Sequence, residues 1–137
     1  MTDDLTFDPD GDGRTLEDLL PDLRHVQLYL IRMAFPEPVA SPIDHLRPHL
    51  RDHALWLRDQ ERTGTLFLSG PNRCDEEWDG SGTAIIRAGS LDHAREIAAT
   101  EPFHRKGVRV NTVHGWQLSE GALRLSVNLF DNRFDLS

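Results

Sequence analysis

Three histidines recur every four residues, at His45, His49 and His53. On a regular helix, side chains four apart share one ridge, and His pairs at that spacing can chelate a metal. Pro48 interrupts the helix between the first two, and no third ligand type stands at a matching spacing. No metal is therefore expected. His53 differs from the other two. It falls in the series Leu46, Leu50, His53, Leu57, at i, i+4, i+7 and i+11, which is the apolar stripe of a helix. A neutral imidazole is the side chain best suited to move protons near pH 7, so His53 is the first candidate for acid–base chemistry. The plainer alternative is a histidine at the edge of a core, hydrogen-bonded to a neighbour.

Other reactive residue types carry less. Ser69-Gly70-Pro71 closes an apolar run and could bring a hydroxyl and a close backbone approach to a pocket rim. No G-x-S-x-G surrounds it, so Ser69 is not a nucleophile elbow. Cys74 follows Arg73 but precedes Asp75, Glu76 and Glu77, and those carboxylates disfavour a thiolate. Asp8, Asp10, Asp12 and Gly13 spell the start of a calcium loop. Its twelfth position, where a bidentate Glu belongs, is Leu19, and no amphipathic helix precedes it. His25, Tyr29 and His114 stand in alternating segments, where parity alone leaves pocket and solvent both open. His49, Ser69, Gly70, Tyr29 and His114 are the candidate substrate-binding residues. His93 and His104 read as surface residues, and Trp56 and Trp116 as packing residues. No Rossmann fingerprint, P-loop or haem-attachment motif occurs, and no cofactor is expected.

The elements that must position these groups are legible in the hydrophobic period. Arg24 to Met33 alternates, with Val26, Leu28 and Leu30 on one face, and predicts a strand. Pro36, Pro38 and Pro42 make a loop. The span from about Ile43 to Arg62 has helical period. Pro48 is tolerable only in a first turn, so the regular helix is expected from near Arg47, with Gly64 ending it. Strands are expected at Thr65–Ser69 and Thr83–Ala88, with a polar loop from Asn72 to Gly82 between them. Ser90 caps a second helix that buries Leu91, Ala94, Ile97 and Ala98. Glu101-Pro102-Phe103 breaks that helix, and Pro102 could open one further short turn. Val108–Leu118 is a strand or two strand pieces. Leu123, Leu125, Val127 and Leu129 alternate in a last one. The order is β-α-β-β-α-β plus an extra C-terminal strand, the ferredoxin-like α+β plan. The sheet face opposite the helices needs a cover, and a second copy of the chain is the natural one.

The 137 residues, 15.6 kDa, suffice for one domain with one core. The net charge of −8 argues against a general nucleic-acid binder. The acidity is local: residues 1–22 hold eight acids and Arg14 alone as a base. That segment has little to bury and is expected to be a loosely held arm, with residues 23–137 as a single domain. No stretch approaches the roughly 20 apolar residues of a membrane helix. The start, MTDDLTFDPD, lacks the basic and apolar regions of a signal peptide. The single Cys74 excludes an internal disulfide framework. A soluble cytoplasmic protein is expected, without nucleic-acid or membrane partners.

Several of these residues together resemble a known family. His53 is followed eleven positions later by Gly64, within HALWLRDQERTGTLFLSGP, then by Gly82, a Ser-Leu-x-x-Ala helix start and Glu101-Pro102-Phe103. This series resembles the YCII-related (YciI-like) family, whose fold is similar to the dimeric α+β barrels. The likeness spans roughly residues 24–118 and leaves the N-terminal arm outside. It implies a homodimer with a small-molecule pocket, and a catalytic pair of His and Asp matched here by His53 and Glu101. Glu101 keeps the carboxylate and adds a methylene. Leu50 stands where family members often carry Arg, which leaves Arg47 and Arg51 as candidates to compensate.

A carboxylate accepting from one ring nitrogen fixes the imidazole tautomer and stabilises the imidazolium. The resemblance thus implies cofactor-free acid–base chemistry: isomerisation, elimination or dehalogenation of a small molecule, with cyclic and aromatic compounds as the suggested class. Two rivals stand beside it. One is a non-catalytic module binding a small molecule in the same pocket. The other is a dimerisation or accessory domain that uses the acidic arm as its contact.

Overall fold

The computed structural model describes residues 8–23, 25–74, 77–130 and 133–136. Along the chain the elements are α1 (Leu16–Leu19), β1 (Val26–Ala34), α2 (Pro42–Leu46), α3 (Leu50–Arg62), β2 (Leu66–Pro71), β3 (Gly82–Ile86), α4 (Leu91–Ala99), α5 (Pro102–Arg105), β4 (Val110–Leu118), β5 (Leu125–Asn128) and β6 (Arg133–Leu136). Val26–Leu118 forms one compact unit, and the described residues on either side of it group as a second.

In the central unit four strands form one antiparallel sheet in the order β2-β3-β1-β4. β1 lies between β3 and β4, opposite Tyr29↔Ile86 on one side and Tyr29↔Gly115 on the other. This is the ferredoxin-like arrangement that the element order predicts. Strand alternation divides the side chains between two faces. Tyr29, Ile31, Met33, Ala84 and Ile86 point to one face and pack with Ala94 and Ala98 of α4. The small alanines let α4 approach the sheet, and Ser90 caps the helix by accepting from the His93 N–H. On the opposite face Leu30 lies across from Ile85 and His114, and Leu68 lies across from Ile85.

The first long helical stretch differs from the single helix expected from near Arg47. α2 opens on Pro42, a tight 3-10 turn covers Arg47–His49, and α3 runs from Leu50. Each proline sits in the first turn of its own segment, where its missing N–H costs no helical hydrogen bond. The three histidines thus stand in three different segments, His45 in α2, His49 in the 3-10 turn and His53 in α3. Gly64, at φ +77°, turns the chain out of α3. β4 starts two residues later than Val108, because the N–H groups of Val108 and Arg109 both bond the Phe103 carbonyl instead of a strand.

In the flanking unit, Thr15 and Asp18 form a reciprocal capping box on α1. Asp8 caps a 3-10 turn, and Asp12 pairs with Arg14. The single C-terminal strand expected over Leu123–Leu129 is instead the first half of a hairpin. β5 pairs with β6 in a separate two-stranded sheet. Alternation identified the strand but carries no information on its partner. Among the described residues no helix is long and apolar enough to cross a membrane.

Candidate functional site

The helical stripe read from the sequence faces a cavity more than it fills a core. Leu46 is fully buried, but Leu50, His53 and Leu57 are half-buried and line a cavity of about 210 Å³. Its opposite wall includes Ser69, Gly70 and Pro71 at the end of β2, with Gly82 beside them on β3. Met33, Trp78, Ser81, Phe103 and Arg109 complete the lining. Almost all of this surface is apolar. The ionisable side chains in it are His53 and Arg109.

His53 is held between aromatic rings. Its ring centroid lies 4.7 Å from that of Phe103 and 6.5 Å from that of Trp56, the latter nearly parallel. Trp56 is fixed in turn by its indole N–H, which donates to Thr100 Oγ at 2.9 Å. One ring nitrogen of His53, Nδ1, is buried and points to Glu101 Oε2 at 3.5 Å. That is ion-pair distance, longer than a formed N–H···O bond, and Nδ1 has no hydrogen-bond partner among the described residues.

Glu101 is completely buried and has a local task of its own. It is the N-cap of α5, with Pro102 at the first helical position, and its Oε2 accepts from the Phe103 N–H. Asp, Asn, Ser and Thr are the usual caps. The longer Glu reaches its own helix and the imidazole together. Oε1 accepts from Asn111 Nδ2 at 3.3 Å and lies 3.8 Å from Arg109 Nη2. Burial pushes the Glu101 carboxyl up, but the facing His53 ring and the Phe103 N–H outweigh it, and the group sits below its ordinary value. A buried carboxylate with this many partners is kept ionised.

Arg109 is 4% exposed, and nothing in the sequence marked it. Its guanidinium stacks 4.5 Å from the Phe103 centroid, and Nη1 donates to the Gly80 carbonyl at 2.9 Å. Gly80 has φ +84°, and a Cβ there would lie 2.3 Å from the Phe35 ring and 2.9 Å from Pro42. Only glycine allows this approach, and the signal was present in the sequence as Asp79-Gly80 within a polar loop. Burial pushes the Arg109 guanidinium down from its ordinary value and Glu101 partly restores it. It remains a cation, as arginine does in proteins.

The other expected residues are dispersed. Ser69 and Gly70 line the cavity. His49 stands half-buried before α3, edge-on to Phe103 at 6.5 Å, and is not among the lining residues. Tyr29 and His114 do not reach the cavity. Tyr29 is on the same face as Met33 but four residues back along β1, in the core under α4. His114 lies across from Leu30 and is exposed on the other face of the sheet. Arg47 and Arg51 are exposed and not among the cavity-lining residues, Arg51 rests against Asp52, and the cation in the cavity wall is Arg109. Among the described residues no group of three or more His, Cys, Asp or Glu could hold a metal ion.

A four-stranded antiparallel sheet with helices on one face, and a half-open cavity between α3 and the β2–β3 end, define a ferredoxin-like α+β protein with a small-molecule-sized site. Residues 28–117 match the model of the YCII-related domain, and the chain belongs to that family. Among solved structures it is similar to 5-chloro-2-hydroxyhydroquinone dehydrochlorinase (TftG) from Burkholderia phenoliruptrix AC1100, in complex with 2,5-dihydroxybenzoquinone. The identity is 18%, the TM-score 0.51, and the match covers 65% of this chain and 92% of that one. At this identity the likeness is one of fold. A comparison with curated proteins gave no match.

Proposed function

We propose that the protein is a cofactor-free acid–base enzyme acting on a small cyclic or aromatic molecule in the cavity beside α3. The observation that carries this reading is the pairing of His53 Nδ1 with the buried carboxylate of Glu101, while the His53 ring also lines the cavity. With Nδ1–H directed at Glu101, the other nitrogen, Nε2, holds the lone pair. It can take a proton from a bound substrate, and Glu101 stabilises the imidazolium that forms. In an elimination, the leaving group departs with the electrons of its bond, and the imidazolium returns the proton to solvent or product. A 3.5 Å separation is compatible with this role, because catalytic hydrogen bonds commonly tighten only when substrate is bound. The fold shared with a dehydrochlorinase supports the reaction class, and 5-chloro-2-hydroxyhydroquinone belongs among the first compounds to try.

A second copy of the chain completes the molecule in this reading. The sheet face away from the helices carries Leu68, 48% exposed, on one edge strand and Trp116, 37% exposed, on the other. Large apolar side chains left exposed on a sheet suit a homodimer interface.

The test does not require the natural substrate. Small cyclic carbon acids and chlorinated hydroquinones are incubated with the protein in D2O, and exchange or halide release is followed by NMR. Proton transfer by a positioned histidine contributes roughly 10²–10⁴-fold. Native protein should accelerate exchange for part of the panel, and His53→Ala should lose on the order of 10²-fold or more while remaining the same oligomer. Equal exchange in both proteins would overturn the assignment. Binding without exchange in either would favour the non-catalytic module.

A further inference from the structure

The charged groups around the cavity bear on the ligand it would take. Two cationic groups, Arg109 and the protonatable His53, face one buried carboxylate, Glu101. The remaining lining is apolar or uncharged. With His53 neutral the trio has no net charge. With His53 protonated it carries one positive charge in a largely dehydrated wall, where an uncompensated charge is costly. A ligand with one negative charge removes that cost. The guanidinium is the cation in the wall that can receive it: 4% exposed, centred 4.5 Å over the Phe103 ring, anchored through Nη1 to the Gly80 carbonyl, 3.8 Å from Glu101 through Nη2, and with its buried Nε without a hydrogen-bond partner among the described residues. Its rotamer is set by these partners, so little side-chain entropy is lost on binding. The cavity size sets the rest. About 210 Å³ exceeds the ~150 Å³ apolar cavity that admits a benzene ring.

We infer that the cavity selects a small, flat, singly charged anion (a carboxylate, phenolate or enolate on one ring), with Arg109 as its charge-recognising residue. This inference rests on the site proposed above but concerns binding and not turnover. Arg109 acts on the ligand's charge, and His53 on its proton.

Benzoate and its neutral isostere benzamide are the probes. Their binding is followed by the fluorescence of Trp78, which lines the cavity, with NMR shifts at Gly70 and Gly82 locating the bound ring. A charge-assisted hydrogen bond contributes about 1.5–3 kcal/mol, so native protein should prefer benzoate by roughly tenfold or more. Arg109→Gln should bind the two probes within about twofold of each other, and Arg109→Lys should recover part of the preference. Circular dichroism and the urea midpoint identify a variant that has failed to fold. The native protein's own benzoate preference then decides. Equal affinity for the two probes, an undiminished preference in folded Arg109→Gln, or no binding of either probe at the cavity would each overturn the inference. Failure here with His53-dependent exchange intact removes only the anion preference. Anion preference without exchange leaves the inference standing and removes the enzyme reading.

Discussion

The chain uses carboxylates in two opposite ways. Asp8, Asp12 and Asp18, before β1, are exposed and spend their oxygens on their own neighbourhood. Asp8 accepts from the Asp10 N–H, Asp12 from Arg14 at 2.6 Å, and Asp18 from the N–H and hydroxyl of Thr15. Hydrogen bonds from Arg14 lower the Asp12 carboxyl, and hydrogen bonds from Thr15 lower that of Asp18. Glu101 is also lowered, but against a large opposing effect of burial. The direction is the same and the physics is not. On the surface, water supplies most of what the partner supplies, and salt screens the remainder. In the interior the partners are all there is. Removing one of the carboxylate, the guanidinium and the imidazole therefore leaves the others short of a buried partner.

The sharpest way to break this contrast is Glu101→Leu. It strands the Arg109 cation in an apolar wall and removes the cap of α5, and loss of one partner of a buried pair costs about 3–5 kcal/mol. Urea unfolding should show a drop of that order. A drop below about 1 kcal/mol, the scale of an exposed pair, would mean that Arg109 finds water or another anion there.

Acid titration gives a smaller effect with a definite sign. The Glu101 carboxyl is depressed in the folded state. Its contribution is therefore fully present above the unfolded value of about 4.3, and is lost as the pH falls through the folded value. Between pH 6 and pH 3 the urea midpoint of the native chain should fall further than that of Glu101→Gln, which has no carboxyl to protonate. Parallel curves would show that Glu101 is not the group responsible. His53→Gln should raise the Glu101 carboxyl titration followed by ¹³C NMR, because the imidazole is one of the groups that hold it down.

The smallest effect belongs to the arm. Asp12→Asn removes one side of the pair with Arg14, on side chains that are about half exposed. No change in the urea midpoint is expected at 0.15 M salt. A clear loss there would mean that the surface pair is coupled to the fold and that the contrast is overdrawn.

Much of the fold was open to inspection in the sequence, for local reasons. Period two marked β1 and period 3.6 marked α3, and Pro48 sits at a first turn as expected, whereas Pro42, read as part of a loop, opens α2. His53 and Glu101 could be singled out together only through the likeness to a family, because 48 positions separate them and no local rule spans that distance. Arg109 stayed hidden. In Val108-Arg109-Val110 an arginine between two valines reads as the solvent side of an alternating strand. The strand starts one residue later, and Arg109 folds back onto Phe103 and Gly80 instead. Tyr29 and His114, read as candidates to line a pocket, lie away from this cavity. Parity says that two residues lie on opposite faces, but not which face borders a cavity.

By itself the sequence determined the β-α-β-β-α-β order of the central unit, the Ser90 cap, the Gly64 stop and the helix carrying His53, since each follows from residues within a turn or two of one another. The tertiary structure alone decided that Glu101 is buried, that Arg109 shares its carboxylate, and that Leu50 and Leu57 face a cavity and not a core. Burial, and the electrostatics that depend on it, are set by what the rest of the chain packs against a residue. They are not properties of the residue's neighbours in the chain.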